Sequence, residues 1–186
     1  MATSGKPVLV ALLRGINVGG NKKVPMETLR KLAEKAGFTS VKTYINSGNL
    51  LFRTGDAPAK VEATLEKAIA KEFGFTVDVV VRTADAWEQY AKKSGFPDVE
   101  KTRPNLLLLG LAKSPVAKGA AEALNALAKD GERVKAIKDA LWIDYAEALG
   151  RSKLTPAALD KHTGSPVTGR NWNTVLKLAE LMRELE

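Results

Sequence analysis

Strand and helix signals alternate over residues 7 to 82 in the order β-α-β-β-α-β, which leaves few ways for such a chain to fold. Val8 to Leu13 is an unbroken apolar run, as expected of a central strand buried on both faces. A helix follows. Pro25 stands near its first turn, Met26, Leu29, Leu32, Ala33 and Ala36 share one face, and Gly37 supplies the left-handed stop. Val41 to Tyr44 and Leu50 to Arg53 read as short strands joined by Ile45-Asn46-Ser47-Gly48-Asn49, a turn composition. A second amphipathic helix buries Val61, Leu65, Ala68, Ile69 and Phe73 and stops at Gly74, after which Val77 to Val81 reads as a strand.

This order is the split βαβ pattern of ferredoxin-like units, two helices covering one face of an antiparallel sheet. Thr83 is placed to cap a short helix bearing Trp87, Tyr90 and Ala91, and Ser94 to Pro104 reads as the connection between subdomains. Asn105 to Gly110 then forms a buried strand, and Ser114-Pro115 opens a helix running through Ala128, with Val116, Ala120, Leu124 and Leu127 buried. Glu132 to Ile137 and Ala140 to Tyr145 make a hairpin around Lys138-Asp139, followed by a short helix near Pro156 to Lys161 and a final one from about Trp172. Because β-α-β-β-α recurs, the expected fold is α+β, a diverged duplication of two ferredoxin-like (split βαβ) subdomains with helices packed on antiparallel sheets. The expected boundaries are 1–82 for the first subdomain, 83–104 for the connecting helix and linker, and 105–186 for the second with its terminal helix.

Composition narrows the function classes. No apolar run approaches the roughly 18 residues of a membrane span, so the chain is expected to be soluble and cytoplasmic, with no membrane partner. The sequence has no cysteine and one histidine, His162, so it holds no disulfide, no thiolate site and no histidine-rich metal site. The net charge is +8, but residues 1–100 carry 15 basic and 11 acidic side chains and residues 101–186 carry 14 and 10. Basic residues alternate with acidic ones on helices, the pattern of a solvated face more than of a nucleic-acid footprint.

The first strand breaks into Leu13-Arg14-Gly15-Ile16-Asn17-Val18-Gly19-Gly20. Glycines permit left-handed backbone and leave bare N–H groups, so a loop of this kind beside Arg14, Asn17 and Lys22 suits an anionic or polar partner. In a split βαβ unit the first two strands run parallel with the third between them, and their carboxyl ends share one edge. Gly15, Gly19 and Gly20 are therefore expected beside Tyr44, Ser47, Gly48 and Asn49. A P-loop is excluded because Asn21-Lys22-Lys23-Val24 stands where Gly-Lys-Ser/Thr should open a helix, and the G-x-G-x-x-G spacing is absent. Two further basic segments, Gly150-Arg151-Ser152-Lys153-Leu154 and Val167 to Thr174, add Arg151, Lys153, Arg170 and Asn171, the last as a helix cap that leaves N–H groups free for an anion. Ser152-Lys153 lacks the S-x-x-K spacing and no Ser-His-Asp set emerges, so neither a catalytic residue nor a cofactor is assigned.

These four segments, from Leu13 to Gly20, Thr43 to Asn49, Gly150 to Leu154 and Thr168 to Val175, together resemble a bacterial family of uncharacterised proteins, domain of unknown function 1697. The resemblance implies two ferredoxin-like subdomains and carries no activity, cofactor or catalytic residue; Asn46 and Gly169 depart from the residues more usual there. The expected function is binding of a phosphate- or carboxylate-bearing small molecule in a cleft between subdomains. Arg14, Lys22 and Arg170 take its anionic oxygens, Asn17 and Asn49 orient it, and Tyr44 is a candidate proton donor. The alternative is a nucleic-acid-binding module with a basic surface, although Val8 to Leu13 offers no aromatic to an RNA-binding sheet.

Overall fold

A computed structural model describes residues 5–147 and 150–186. The chain divides into two units, one of residues 1–87 with 178–186, the other of residues 88–177.

In the first unit, β1 (Val8–Leu13), α1 (Met26–Lys35), β2 (Thr39–Tyr44), β3 (Asn49–Arg53), α2 (Pro58–Phe73) and β4 (Val79–Thr83) follow one another. They form a sheet of order β2-β3-β1-β4, antiparallel throughout. Side chains alternate across a strand, so Leu9, Ala11 and Leu13 of β1 meet Leu50, Phe52, Val79 and Val81 in one core with Leu29 and Ala33 of α1 and Val61, Leu65 and Ile69 of α2. The opposite face is closed as well: Val10, Leu12, Leu51 and Val80 are at most 1% exposed. Gly74 stops α2 in the left-handed conformation, φ 75°. Phe38, just beyond α1, stacks on Phe52 at 4.6 Å between ring centroids.

In the second unit α3 (Ala84–Lys92), shared with the first, leads to α4 (Pro97–Thr102) and a short 3-10 turn at Pro104–Leu106. Then come β5 (Leu107–Ala112), α5 (Ala120–Leu127), β6 (Arg133–Ile137), β7 (Ala140–Asp144), α6 (Pro156–Thr163), β8 (Val167–Asn171) and α7 (Trp172–Leu185), whose last residues belong to the first unit. The sheet order is β6-β7-β5-β8, the same order as the first sheet, as duplication of one ferredoxin-like unit gives.

Two segments differ from the sequence expectation. Ser114 and Pro115 do not open α5, which begins at Ala120 after Gly119, whose φ of 81° breaks any earlier helical run. The Ser114 and Ala117 N–H groups donate instead to the Ser165 hydroxyl and the Thr163 carbonyl. Val167 to Asn171, read as a polar lead into the last helix, is the strand β8 and completes the second βαββαβ. The stretch from Ser94 to Pro104 holds α4 at Pro97–Thr102: Ser94 and Val99 are buried, and the Glu100 carboxylate accepts from both the N–H and the hydroxyl of Ser94.

At the edge strands β4, β6 and β8, outward N–H groups find side-chain acceptors. On α2, Glu66 accepts from Val79 N–H and Glu62 from Val81 N–H, both at 2.9 Å. On α6, Asp160 accepts from Val167 N–H at 2.9 Å. Asn125 of α5 meets both backbone groups of Val134 on β6 at 2.8 Å.

Phe52 is fully buried between sheet and helices, so Phe52→Ala is expected to lower unfolding free energy by about 4 kcal/mol, the lost transfer energy plus a cavity. Urea unfolding followed by circular dichroism measures this.

Candidate functional site

The strand order brings the end of β1 and the β2–β3 turn together. The Leu13 N–H donates to the Gly48 carbonyl at 2.9 Å, and the Arg14 N–H donates to the Asp78 carbonyl at 3.0 Å. Gly48 has φ 84°, and a Cβ there would lie 2.7 Å from Ile16 Cδ1 and 2.8 Å from Leu13 Cβ. Only glycine fits. Ile16, buried under the turn, is the apolar plug that joins the two segments.

Asn17 ties the loop down. Its side-chain amide donates to the carbonyls of Val24 (3.0 Å) and Asn46 (2.8 Å), while its Oδ1 accepts from Val24 N–H at 2.8 Å. Beyond it the chain makes a miniature hairpin. Asn17 N–H bonds to the Lys22 carbonyl and Asn21 N–H to the Val18 carbonyl. Gly19 and Gly20 form its tip at φ 57° and 79°, the two positive values that a type I′ turn requires. A Cβ on Gly15, Gly19 or Gly20 would meet nothing within 4 Å. These glycines therefore serve backbone conformation and stand clear of neighbouring chain.

The charged groups gather around this hairpin. Arg14 Nη1 lies 3.7 Å from Asp78 Oδ2, and Lys22, itself at φ 45°, donates from Nζ to the Thr76 carbonyl at 2.7 Å. Lys23 is exposed beside it. In the facing turn Asn49 is fully buried and its amide donates to the Tyr44 carbonyl at 3.0 Å and the Ser47 hydroxyl at 3.1 Å. Ile45 adopts φ 50°, an outlier for a β-branched residue, and it and Val18 are the large apolar side chains exposed on this rim. Among the sequence-derived candidates, Arg14, Gly15, Asn17, Gly19, Gly20, Lys22, Tyr44, Ser47, Gly48 and Asn49 thus share one unit and one rim. The amides of Asn17 and Asn49 hold backbone there.

Arg151, Lys153, Arg170 and Asn171 belong to the other unit. Arg151 is exposed, its Nε 3.8 Å from Asp130. Lys153 is exposed, but its neighbour Ser152 donates to Glu132 Oε1 at 2.5 Å, and Glu132 also accepts from the Lys129 and Asp130 N–H groups. That hydroxyl, with the two N–H groups, holds the Glu132 carboxyl below its ordinary range. Arg170 lies in β8, buried, with Nη1 donating to Thr168 Oγ1 at 3.0 Å and to the Gly169 carbonyl at 2.8 Å; burial pushes its pKa down to about 10, so it stays charged near neutrality. Asn171 caps α7 through Thr174 N–H at 2.9 Å, as expected.

Two acidic residues stand in strand or hairpin contexts where the sequence shows no clear pairing, and the structure supplies their partners. Asp78 follows from topology, since β4 runs antiparallel to β1 and its start must lie at the end of β1 where Arg14 sits. Asp144, 1% exposed, accepts from the Arg103 and Arg133 guanidinium groups at 2.9 and 2.8 Å. No local spacing signals that meeting. Among the described residues no group of three or more His, Asp or Glu is arranged to hold a metal ion, and no helix is long and apolar enough to cross a membrane.

A family model described as protein of unknown function (DUF1697) matches residues 7–142. No curated protein matches the chain. Among solved structures, the conserved bacterial protein SP0830 from Streptococcus pneumoniae is similar over 95% of this chain and 98% of its own, with a TM-score of 0.72 and 23% sequence identity. At that identity the likeness shows the fold alone.

Two outcomes test the geometry. Gly48→Ala forces both a left-handed alanine and a clash, and is expected to cost about 3 kcal/mol, against about 1 kcal/mol for Gly20→Ala, which meets open space; urea unfolding compares them. A carboxyl whose pKa is lowered by folding stabilises the fold above its unfolded value near 4.5 and loses that contribution as pH falls through the folded value. Ser152→Ala should therefore lower the melting temperature at pH 7, and the gap from the parent protein should shrink as the buffer is taken to pH 3.

Proposed function

We propose that this chain, which belongs to the DUF1697 family, binds a phosphate- or carboxylate-bearing small molecule at the rim formed by the Arg14–Lys22 loop and the Ile45–Asn49 turn. The observation that carries this reading is the concentration of left-handed backbone at one place: Gly15, Asn17, Gly19, Gly20, Lys22, Ile45 and Gly48 all have positive φ. At the non-glycine positions Asn17, Lys22 and above all Ile45 such backbone costs on the order of 1–3 kcal/mol per residue, and strain of that kind is characteristic of binding segments. Arg14, Lys22 and Lys23 outnumber Asp78 among the charged groups there. The N–H groups of Gly15, Gly19 and Gly20 make no hydrogen bond to any described residue, which leaves donors for anionic oxygens next to a guanidinium able to take two of them. Tyr44 is the nearby hydroxyl able to supply a proton.

The nucleic-acid reading loses support from the sheets. RNA-binding sheets of this topology present an open face with aromatic side chains, whereas Val10, Leu12, Leu51 and Val80 are buried apolar groups. A cytoplasmic setting is part of the proposal, supported by a chain without cysteine, which builds nothing that needs an oxidising compartment.

Inorganic phosphate, titrated at constant ionic strength, is expected to raise the melting temperature of the parent protein. Arg14→Ala should abolish that rise while lowering the ligand-free melting temperature little. A variant that loses much stability and keeps its response to phosphate would make Arg14 structural and end the proposal.

A further inference from the structure

A second hollow, independent of the rim, lies in the unit of residues 88–177, between the last turns of α3 and the β6–β7 hairpin. Its volume is about 100 Å³, and its lining is mainly apolar. Tyr90 and Trp142, both nearly fully buried, and the half-buried Ile137 line it, while Lys92, Lys93 and Lys138 stand around it. Trp142 is fixed from behind by Trp172, edge to face at 5.5 Å. The hairpin tip is fixed to the helix by the Tyr90 hydroxyl, which donates to Asp139 Oδ2 at 2.6 Å.

Among the described residues, none of the three ammonium groups has a hydrogen bond or ion pair. Lys92 and Lys93 have a simple explanation, since cations are favoured at a helix C-terminus. Lys138 does not. It comes from a different element, the two-residue turn of the hairpin, and it holds φ 55°, a conformation that glycine or asparagine adopts at less cost. It brings a third lysine to the lining of the same hollow, from the hairpin and not the helix.

From this juxtaposition we infer that the hollow is a binding site for a small aromatic anion, one planar ring bearing a carboxylate or a phosphate. A cavity on the order of 150 Å³ encloses benzene completely. The smaller hollow here, open on one side, seats one ring against Tyr90, Ile137 and Trp142 and leaves its charged substituent among the lysines. The ring supplies apolar contact and the lysines supply charge, so neither half of the ligand binds well alone.

Benzoate is the probe, with acetate as an anion lacking the ring and benzyl alcohol as a ring lacking the charge. Tryptophan fluorescence excited at the red edge reads binding, because Trp142 lines the site. Benzoate is expected to give a saturable change that acetate and benzyl alcohol do not. The Trp142→Phe variant should lose that change while keeping the emission of Trp87 and Trp172. Lys138→Gly relieves the left-handed strain and should melt no lower than the parent. Combined with Lys92→Gln, it is expected to weaken benzoate binding about tenfold or more, as loss of one or two charge contacts implies. The inference is overturned if benzoate gives no saturable response, if benzyl alcohol binds as tightly, or if the double variant binds benzoate like the parent. Benzoate binding measured by calorimetry separates a lost reporter from a lost site in Trp142→Phe.

Discussion

Antiparallel pairing of β1 with both β3 and β4 is the constraint on which the first unit depends. It makes β1 central, buries both its faces, and forces three chain segments to one edge: the exit of β1, the turn entering β3 and the start of β4. Leu13, Arg14, Gly48 and Asp78 are neighbours because of that order, and the backbone bonds of Leu13 and Arg14 run to the turn on one side and to β4 on the other. The rim is thus a product of topology, with side chains added at positions that the sheet had already fixed.

The same rim shows how a loop can be both strained and well held. Ile16 is driven inward by the hydrophobic effect, and the three hydrogen bonds of Asn17 clamp the chain on either side of it. With those two residues anchored, the hairpin tip can adopt conformations that a free loop would abandon. Anchors of this kind lower the ordering entropy lost when a ligand arrives, which is where a prepared site gains affinity.

Much of this was readable from residue order. Glycine stops, apolar periodicity and the β-α-β-β-α-β sequence carry the architecture, because each reports a local preference that the tertiary structure then obeys. The shared rim followed from topology alone. β8 was hidden because Gly169 disfavours strand and the run Thr168-Gly169-Arg170-Asn171 lacks apolar alternation; pairing with β5 makes it strand. Ser114-Pro115 mimicked a helix start, and only the contacts of that segment with Thr163 and Ser165 explain why the helix waits for Ala120. The purposes of Asn17 and Asn49 were equally hidden, since an amide that binds a ligand and one that binds its own backbone look alike in sequence. The Asp144 cluster joins residues 103, 133 and 144, a meeting that no spacing rule encodes.

Glu62, Glu66 and Asp160, which cover backbone donors on β4 and β8, have a consequence for how a duplicated chain avoids its own copy. Two sheets of identical strand order on one polypeptide experience each other at an effective concentration of roughly millimolar, where an open border in one half would recruit a strand from the other. Carboxylates that occupy those donors, with Asn125 doing the same on β6, blunt the template for such an exchange on β4, β6 and β8. Each half can then fold as a sibling of the other without becoming tangled in its ladders.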